Sequence, residues 1–380
     1  MKHIILCSIF IALCLFSCSN PEEMTHELKL SSADKIEIFI GPKINCETKC
    51  MQLIRYKEKD LLAYQNKGEI YFFDLNGNLF HKIKYEAKGP NGIEGLKGFF
   101  FVDFDTIYTF PGIPWYFFHT DSSGQVIKKI DITHLKVDSG PACINDDFYF
   151  NPNEVVKKNN NLYLPTYLYD SNLENEIVNY STGIIYDTET DQSEFSPYHY
   201  PPIDPTQYMH SRTHGNNGWV YSFSNLNKLF LINKDEKSQL RKCKSRYAPD
   251  KIPKYQTNPD IEKEVHNTVT NPSYYGILFD KYKKIYYRLF YPGIEVDKNT
   301  ELSKYFSLIE SPKLFSVIIL NENLEVIGET LMPEDSYNPY MNFINKDGLH
   351  FALHVNHPDF DPDYLKFARF SVEKLNSSNE

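Results

Sequence analysis

The stretch Ile70-Tyr-Phe-Phe-Asp-Leu-Asn-Gly-Asn-Leu79 decides the fold, because it holds an apolar strand, a polar turn and the start of a second strand. Aromatic and β-branched residues favour strands, whereas Asp, Asn and Gly favour the turns between them. The same order of strand, turn and strand recurs further along the chain. The further cassettes are Trp115 to Val126, Gly183 to Asp191, Leu229 to Asp235 and Phe315 to Leu324.

Each cassette is preceded by another pair of strands. Leu61 to Tyr64 is one strand of the pair before the first cassette, and Thr106 to Phe110 is one strand of the pair before the second. Four short strands per unit, repeated at a spacing of about 45 to 90 residues, are typical of the blades of a β-propeller. Counting strands therefore predicts an all-β fold, a six-bladed β-propeller over 34–375. The predicted blades span 50–85, 98–131, 148–197, 208–244, 274–331 and 341–372.

The last predicted blade has only three strands of its own, while the alternating segment Lys35 to Ile40 has no partner near it in sequence. We therefore predict that this N-terminal strand pairs with the C-terminal blade, at Tyr364 to Val372, and closes the ring. Such closure removes a sheet edge that would otherwise invite aggregation. The alternative fold is two stacked sandwich domains divided in the Pro-rich stretch Pro197 to Pro205.

The N-terminus carries a run of mostly apolar residues, Ile4 to Phe16, which is shorter than the roughly 20 residues of a membrane span. This pattern predicts an export signal over 1–17, cut before Cys18, and a polar tether over 18–33. Leu15-Phe16-Ser17-Cys18 resembles the lipoprotein box of bacteria, in which the new N-terminal cysteine is acylated. The resemblance implies a lipid on Cys18 that holds the protein on a membrane of the cell envelope, most often the outer membrane.

The net charge of −10 and the pI near 5.7 argue against nucleic acid as a partner, since such binding depends on clustered Lys and Arg. After export, Cys46, Cys50, Cys143 and Cys243 remain in an oxidising compartment, where one or two disulfides are possible. Cys46 and Cys50 form either a local bridge or half a metal site, or, as the favoured alternative, the thiols are free or singly bridged.

Loop lengths point to one end of the predicted blades. The turns joining first to second and third to fourth strands are short, such as Lys57 to Lys59 and Asp121 to Gly124. The other connections hold the excess length, as in Ser245 to Ser273 and Tyr291 to Pro312. Long loops on a rigid scaffold are where binding usually occurs, although they can also be tolerated decoration.

The turn Tyr85-Glu-Ala-Lys-Gly-Pro-Asn-Gly-Ile93 resembles the Gly-Pro turn of uncharacterised six-bladed propeller lipoproteins from Gram-negative bacteria. Together with the Cys18 start and the cassettes, the resemblance spans most of the chain. It implies a TolB-like or NHL-like propeller of unknown function, and it transfers no catalytic residues. Gly89 and Gly92 would permit positive φ in this turn, with Pro90 fixing the residue between them.

Two groups of polar residues are candidate sites. Tyr208, His210, Arg212 and His214 alternate along a predicted strand, so all four lie on one side, where they would line the central channel and hold an anionic or hydroxyl-rich ligand. The alternative is a solvated channel wall. His350 and His354 share a strand face, and His357, Asp359, Asp361 and Asp363 follow in a loop. These four are weak metal candidates, because the glycine and distal glutamate of a calcium loop are missing, and an acidic turn is favoured.

The sequence contains no Gly-x-Ser-x-Gly, His-Glu-x-x-His or Walker motif. We therefore expect a non-catalytic binding protein without a cofactor, whose ligand or partner is a glycan or an envelope protein held at the long-loop face. The rival is a metal-assisted hydrolase or lyase at the channel mouth, with His210, His214 or His357 as ligand or base and Arg212 holding substrate charge. A structural envelope subunit is a third reading.

Overall fold

The computed structural model describes residues 27–48, 50–113, 115–137, 140–141, 143–144, 153–167, 181–201, 210–253, 260–297 and 299–375. Within these ranges the fold is nearly all β, with two short helices. No described helix is long and apolar enough to cross a membrane. The predicted signal over 1–17, Cys18 and Tyr208 lie outside the described residues.

Four antiparallel sheets follow one another along the chain. Sheet A contains β2 (Met51–Tyr56), β3 (Lys59–Asn66), β4 (Glu69–Asp74) and β5 (Leu79–Lys84). Sheet B contains β6 (Leu96–Asp103), β7 (Thr106–Pro111), β8 (Tyr116–Thr120) and β9 (Val126–Asp131). The pair β10 (Lys136–Val137) and β11 (Gly140–Pro141) precedes sheet C, which contains β12 (Cys143–Ile144), β13 (Val156–Lys158), β14 (Asn161–Tyr167), β15 (Gly183–Asp187) and β16 (Ser193–Phe195). Sheet D contains β17 (His210–Gly215), β18 (Gly218–Phe223), β19 (Lys228–Asn233) and β20 (Ser238–Lys242).

The remaining strands form one eight-stranded sheet made of two halves. Half-sheet E contains β21 (Ser273–Asp280), β22 (Ile285–Tyr291), β23 (Ser316–Leu320) and β24 (Val326–Leu331). Half-sheet F contains β25 (Tyr337–Asn345), β26 (Gly348–Leu353), β27 (Tyr364–Lys374) and the N-terminal strand β1 (Leu28–Phe39). The two halves meet where β1 runs parallel to β24, at the pair Leu28 and Gly328.

The N-terminal strand completes the C-terminal half-sheet. β1 is antiparallel to β27, with a register that runs from Leu28 opposite Lys374 to Phe39 opposite Tyr364. The predicted pairing of these two segments is therefore confirmed. The strand begins earlier than expected, however, and its first residues, from Leu28 on, fall within the predicted tether over 18–33. Leu30 is buried in the core, and its N–H donates to Thr330 Oγ1 at 2.7 Å, so this part of the chain is strand and not tether.

Each sheet packs on its neighbour through a cluster of buried apolar side chains. One cluster joins A to B, one B to C, one C to D, one D to E and one E to F. A further cluster joins half-sheet F back to sheet A, with Ile38 and Phe367 against Leu62 and Phe73. The last sheet thus packs on the first, and the order of packing is cyclic.

The connections differ in length between the two ends of the sheets. Turns from first to second and from third to fourth strands span two to five residues, whereas among the elements described every connection of ten or more residues leaves from the other end. Two of these long connections contain α1 (Ile261–Thr270) and α2 (Leu302–Glu310). The sequence predicts loops in both regions, and the two helices differ from that prediction. Asp260 caps α1 by accepting from the backbone N–H groups at 262 and 263, and the two helices bury their apolar sides against each other.

The Gly-Pro turn adopts part of the predicted geometry. Gly89 has φ +100°, which favours glycine, while Gly92 is not in the positive-φ region. A Cβ on Gly92 would lie 2.6 Å from the Lys88 carbonyl carbon, so close approach and not φ is the reason for glycine there. The Ile93 N–H donates to the Glu86 carbonyl at 2.7 Å and closes the turn.

Candidate functional site

A cavity of about 510 Å³ lies where the first strands of the sheets approach one another. This volume falls within the range of small-molecule sites in proteins, roughly 300 to 1,000 Å³. Its wall comes from β2, β6, the segment 153–155, β17, β21 and β25, with Thr48 and Cys50 just before β2. Sheets A, B and D, both half-sheets and the segment before β13 of sheet C therefore all contribute to one cavity.

The cavity lies toward one end of these strands. Most of its lining comes from their later parts, Gln52 to Arg55, Phe99 to Val102, Ile277 to Phe279 and Asn342 to Ile344. These parts lead into the short turns. The cavity is therefore nearer the short turns than the long connections to which the sequence analysis assigned binding.

The most distinctive polar group of the wall is the Glu154 carboxylate. Its Oε2 accepts from the Thr213 hydroxyl at 2.8 Å and from the His214 backbone N–H at 2.7 Å. The side chain is exposed to the cavity but enclosed by protein, and this burial raises the pKa of Glu154. The two hydrogen bonds, followed by the charges of Arg212 and Lys281, lower the pKa and only partly offset that rise.

Backbone contacts between sheets C and D position this carboxylate. Asn153 forms an isolated parallel bridge with Arg212, and the Glu154 N–H donates to the Arg212 carbonyl at 3.3 Å. The segment before β13 is thereby held along the edge of β17. Because β17 carries both donors to Oε2, the strand that fixes the Glu154 backbone also fixes its side chain.

Arg212 also lines the cavity, but most of its guanidinium serves the contact between sheets C and D. Its Nε donates to the Glu154 carbonyl at 3.1 Å and its Nη2 to the Tyr163 carbonyl at 2.9 Å. The guanidinium carbon lies 4.4 Å from the centre of the Trp219 ring, a cation–π contact. Burial lowers the pKa of Arg212 from its ordinary value. A buried cation held in this way is a structural tie with limited freedom to move toward a ligand.

Neither histidine of β17 is among the described residues that line the cavity. His210 is only 1% exposed, and its Nδ1 lies 3.3 Å from the Tyr200 hydroxyl among aromatic rings. The His214 ring packs edge-on against Trp219, with ring centres 5.0 Å apart. His210, Arg212 and His214 do share one side of the strand, but that side packs on the neighbouring sheet. In sheets that pack face to face around a centre, side chains point at neighbouring sheets and strand edges face the middle.

Apolar side chains supply another part of the cavity wall. Ile54, Phe100, Val102 and Ile344 line it as half-buried side chains. Gln52 contributes a polar group, but its Oε1 already accepts from the Phe101 N–H at 3.0 Å. The described part of the wall thus combines apolar side chains with polar groups, among which Glu154 is the one carboxylate.

The acidic loop is a set of turns tied to β1. Asp361 Oδ1 accepts from the Asp363 N–H, His357 Nδ1 accepts from the Asp359 N–H, and the Asp359 carboxylate pairs with Lys35. Within the described ranges no group of three or more His, Cys, Asp or Glu side chains is arranged to hold a metal ion. The acidic-turn interpretation therefore accounts for these residues.

His350 and His354 are likewise used inside the fold. The His350 ring stacks on Phe343 with centres 4.4 Å apart, and burial lowers its pKa to about 4. His354 accepts from the Asn356 N–H at Nδ1 and lies 3.1 Å from the Ser311 carbonyl at Nε2. Both rings are thus packed against other residues of the fold.

Cys46, Cys50 and Cys243 carry free thiols, so the possible local bridge between Cys46 and Cys50 is not formed. Burial raises the pKa of Cys50 to about 12, and its thiol donates to the Phe99 carbonyl at 3.7 Å. The Cys143 side chain lies outside the described part of the chain. The three described thiols thus belong to the packing.

Sequence reasoning missed Glu154, the residue that distinguishes the cavity. The only signal was a carboxylate directly before the apolar pair Val155 and Val156, at the start of a predicted unit. A solvated loop residue gives the same pattern. What distinguishes Glu154 from such a loop residue is its backbone contact with Arg212 of the next sheet, which the sequence does not show.

One family model and one solved structure of that family support this fold. The family model "Domain of unknown function (DUF4221)" matches residues 27–331. A member of that family from Bacteroides vulgatus ATCC 8482, solved by crystallography, is 21% identical with a TM-score of 0.81, covering 92% of this chain and 100% of that one. A protein of Bacteroides fragilis NCTC 9343 named as predicted to be exported is 11% identical (TM-score 0.48; 95% and 98% covered). Virginiamycin B lyase from Staphylococcus aureus is 10% identical (TM-score 0.40; 91% and 99% covered). Curated protein sequences give no match.

Proposed function

This chain belongs to the family Domain of unknown function (DUF4221), and from that premise we propose that it is a non-catalytic binding protein that takes a small ligand into its central cavity. The observation that carries the proposal is the cavity itself, about 510 Å³ in volume, lined by both apolar and polar groups and equipped with one fixed carboxylate. The Glu154 carboxylate holds its position through hydrogen bonds to the fold, as a group that orients a ligand does.

The proposal includes a six-bladed propeller as the scaffold. Sheets A to D and the two halves of the eight-stranded sheet supply six units of similar size, and their apolar clusters follow one another in cyclic order. The pairing of β1 with β27 supports closure of the ring. A cavity bounded by the first strand region of every unit is what a ring of this kind leaves at its centre.

We expect ligands of the cavity to raise the melting temperature of the protein, because a ligand that binds only the folded state stabilises it. Ile54→Trp places a larger side chain in the cavity and should abolish the rise in melting temperature for each stabilising compound. The measurement is thermal unfolding of both proteins against a panel of small amines, alcohols, organic acids and sugars. The matched control, Ile127→Trp, places the same ring on β9, where Ile127 is 57% exposed, and should bind like the wild type. No stabilising compound, or equal shifts in both variants, would overturn the cavity as the binding site.

The location of the protein is part of the proposal. The N-terminal signal and Cys18 support export and lipid attachment, with the envelope membrane as a partner. Cells fed an alkyne-tagged fatty acid should label the native chain and not Cys18→Ala, which should be recovered in the soluble fraction. Equal labelling of both proteins would show that Cys18 is not the attachment point.

The long connections are a second candidate surface, for a glycan or an envelope protein. The observation in favour is that α1 and α2 leave Ile261 and Phe306 exposed, at 51% and 43%, beside the apolar core they share. Binding there would survive Ile54→Trp and be weakened by Phe306→Ser. The cavity ligand should show the opposite pattern, so the two variants separate the two sites.

The metal-assisted hydrolase or lyase has less support. Its proposed groups are not together, since His210 packs between sheets C and D and His357 lies in the loop between β26 and β27. Turnover of a bound compound by the wild type, lost in Glu154→Gln, would favour a catalytic role for the cavity instead of binding alone.

A further inference from the structure

The two oxygens of Glu154 have different surroundings. Oε2 is held by Thr213 and His214, which fixes the carboxylate before any ligand arrives. Oε1 has no hydrogen-bond partner, and the carboxylate no ion-pair partner closer than 4 Å, among the residues that the structure describes. One acceptor of a prepositioned anion is therefore open to the cavity.

The cations around the cavity are engaged elsewhere. Arg212 donates to two backbone carbonyls and stacks on Trp219. Arg55 pairs with Asp60 at 2.8 Å. The Lys281 ammonium lies over the Tyr282 ring, 5.2 Å from its centre. Arg212 and Lys281 act on the Glu154 carboxylate only through space, and none of the three cations donates a hydrogen bond to its open oxygen.

We propose that the cavity recognises a small molecule with a protonated amine on an apolar body, whose ammonium group donates to Glu154 Oε1. This inference rests on the proposed binding function and names the class of its ligand. The ammonium would supply the hydrogen-bond donor and the positive charge that no described protein group places at Oε1. The apolar body would contact Ile54, Phe100 and Val102.

Competing ligand classes fit less well. A carboxylate or phosphate would be repelled by Glu154 and would find Arg212 and Arg55 already engaged. A polyol supplies hydrogen bonds but no positive charge, so it would leave the Glu154 carboxylate without a counter-charge. A charge-assisted hydrogen bond in an enclosed site is also stronger than one to a neutral hydroxyl.

The first test uses the wild-type protein and n-butylammonium, n-butanol, butanoate and erythritol as probes of similar length. Isothermal titration should show the ammonium binding roughly 10- to 100-fold more tightly than the alcohol, which corresponds to one hydrogen bond to a charged group. Butanoate and erythritol should bind more weakly still. If the alcohol binds as tightly as the ammonium, or if erythritol or butanoate binds best, the amine assignment is wrong.

The second test uses Glu154→Gln, which keeps an acceptor for Thr213 and His214 while removing the charge. Its affinity for n-butylammonium should fall by the same roughly 10- to 100-fold, with the affinity for n-butanol unchanged. The control, Glu86→Gln, removes an exposed carboxylate and should leave both affinities unchanged. An unchanged ammonium affinity in Glu154→Gln would overturn the inference.

The two proposals fail in distinguishable ways. If compounds lose binding in Ile54→Trp but show no preference for the ammonium group, the cavity binds ligands of another class and only the amine inference is lost. If no compound stabilises the protein through the cavity, the binding function itself is lost. The wild-type comparison among probes does not depend on any variant folding correctly.

Discussion

Arg288→Met is expected to lower the free energy of unfolding by roughly 3 to 5 kcal/mol, because it removes a fully buried cation on which several polar groups depend. Arg288 on β22 donates from Nε to Ser222 Oγ at 2.9 Å, from Nη1 to the Cys243 carbonyl at 2.5 Å and from Nη2 to the Leu226 carbonyl at 2.7 Å. Its guanidinium carbon also lies 3.4 Å from the centre of the Tyr274 ring. The three hydrogen-bond acceptors belong to sheet D and to the residue that follows its last strand, so one side chain ties half-sheet E to sheet D.

Methionine fills much of the same space but donates no hydrogen bond, which leaves buried acceptors unpaired. Urea unfolding followed by fluorescence gives the change in free energy, with Arg241→Met on the exposed outer strand β20 as the matched control. Arg288→Lys should lower the free energy of unfolding by most of the same amount. One ammonium cannot reach all the acceptors that surround a planar guanidinium. A loss below about 1 kcal/mol for Arg288→Met would show that the tie between the two sheets lies elsewhere.

The strands were predictable because local patterns determine them. The cassette of Ile70 to Leu79 forms β4, a turn and the start of β5, and the alternation of Ile36, Ile38 and Ile40 marks a strand with one buried side. The partner of that strand was predictable for a different reason. The C-terminal unit lacked a strand, and an unpaired edge is unfavourable in a soluble protein.

The cavity was not predictable, because alternation shows which residues share a side but not what that side faces. His210, Arg212 and His214 share a side, as expected, yet they pack against sheet C and not against water. Glu154 came to matter only through hydrogen bonds from a strand almost 60 residues later in the chain. Contacts at such separation depend on the arrangement of whole sheets.

Arg288 shows a signal that sequence analysis could have used. It is the only charge in Ile285-Tyr-Tyr-Arg-Leu-Phe-Tyr291, a run otherwise made of apolar and aromatic residues. A charge at the centre of a strand buried on both sides must be paired or hydrogen-bonded. The pattern therefore indicates a buried structural arginine, although not its partners. The short helices α1 and α2 gave no comparable signal, because their apolar residues find cover only in each other.

Ile38→Asp in β1 is expected to lower the free energy of unfolding by roughly 4 kcal/mol or more, since it places a charge where the side chain is fully buried. Ile38 packs in the cluster between half-sheet F and sheet A, the contact that joins the last unit to the first. Urea unfolding measures the effect. Ile127→Asp makes the same change at an exposed position of an outer strand and should have little effect on stability.

Removal of the whole of β1 tests its role in the fold more severely than a substitution at one buried side chain does. A chain that begins at Gly41 lacks the whole strand, so β24 and β27 become open edges and the cluster of Ile38 loses its cover. We expect this chain to lose its cooperative unfolding transition, and a peptide of residues 28–40 added in excess to restore it, because the pairs from Leu28–Lys374 to Phe39–Tyr364 can form without a covalent link. The same peptide with Ile38→Asp should fail to restore the transition. If the shortened chain unfolds at the same temperature as the full-length one, β1 is an accessory strand and the sheets are held together by the contacts among the other strands.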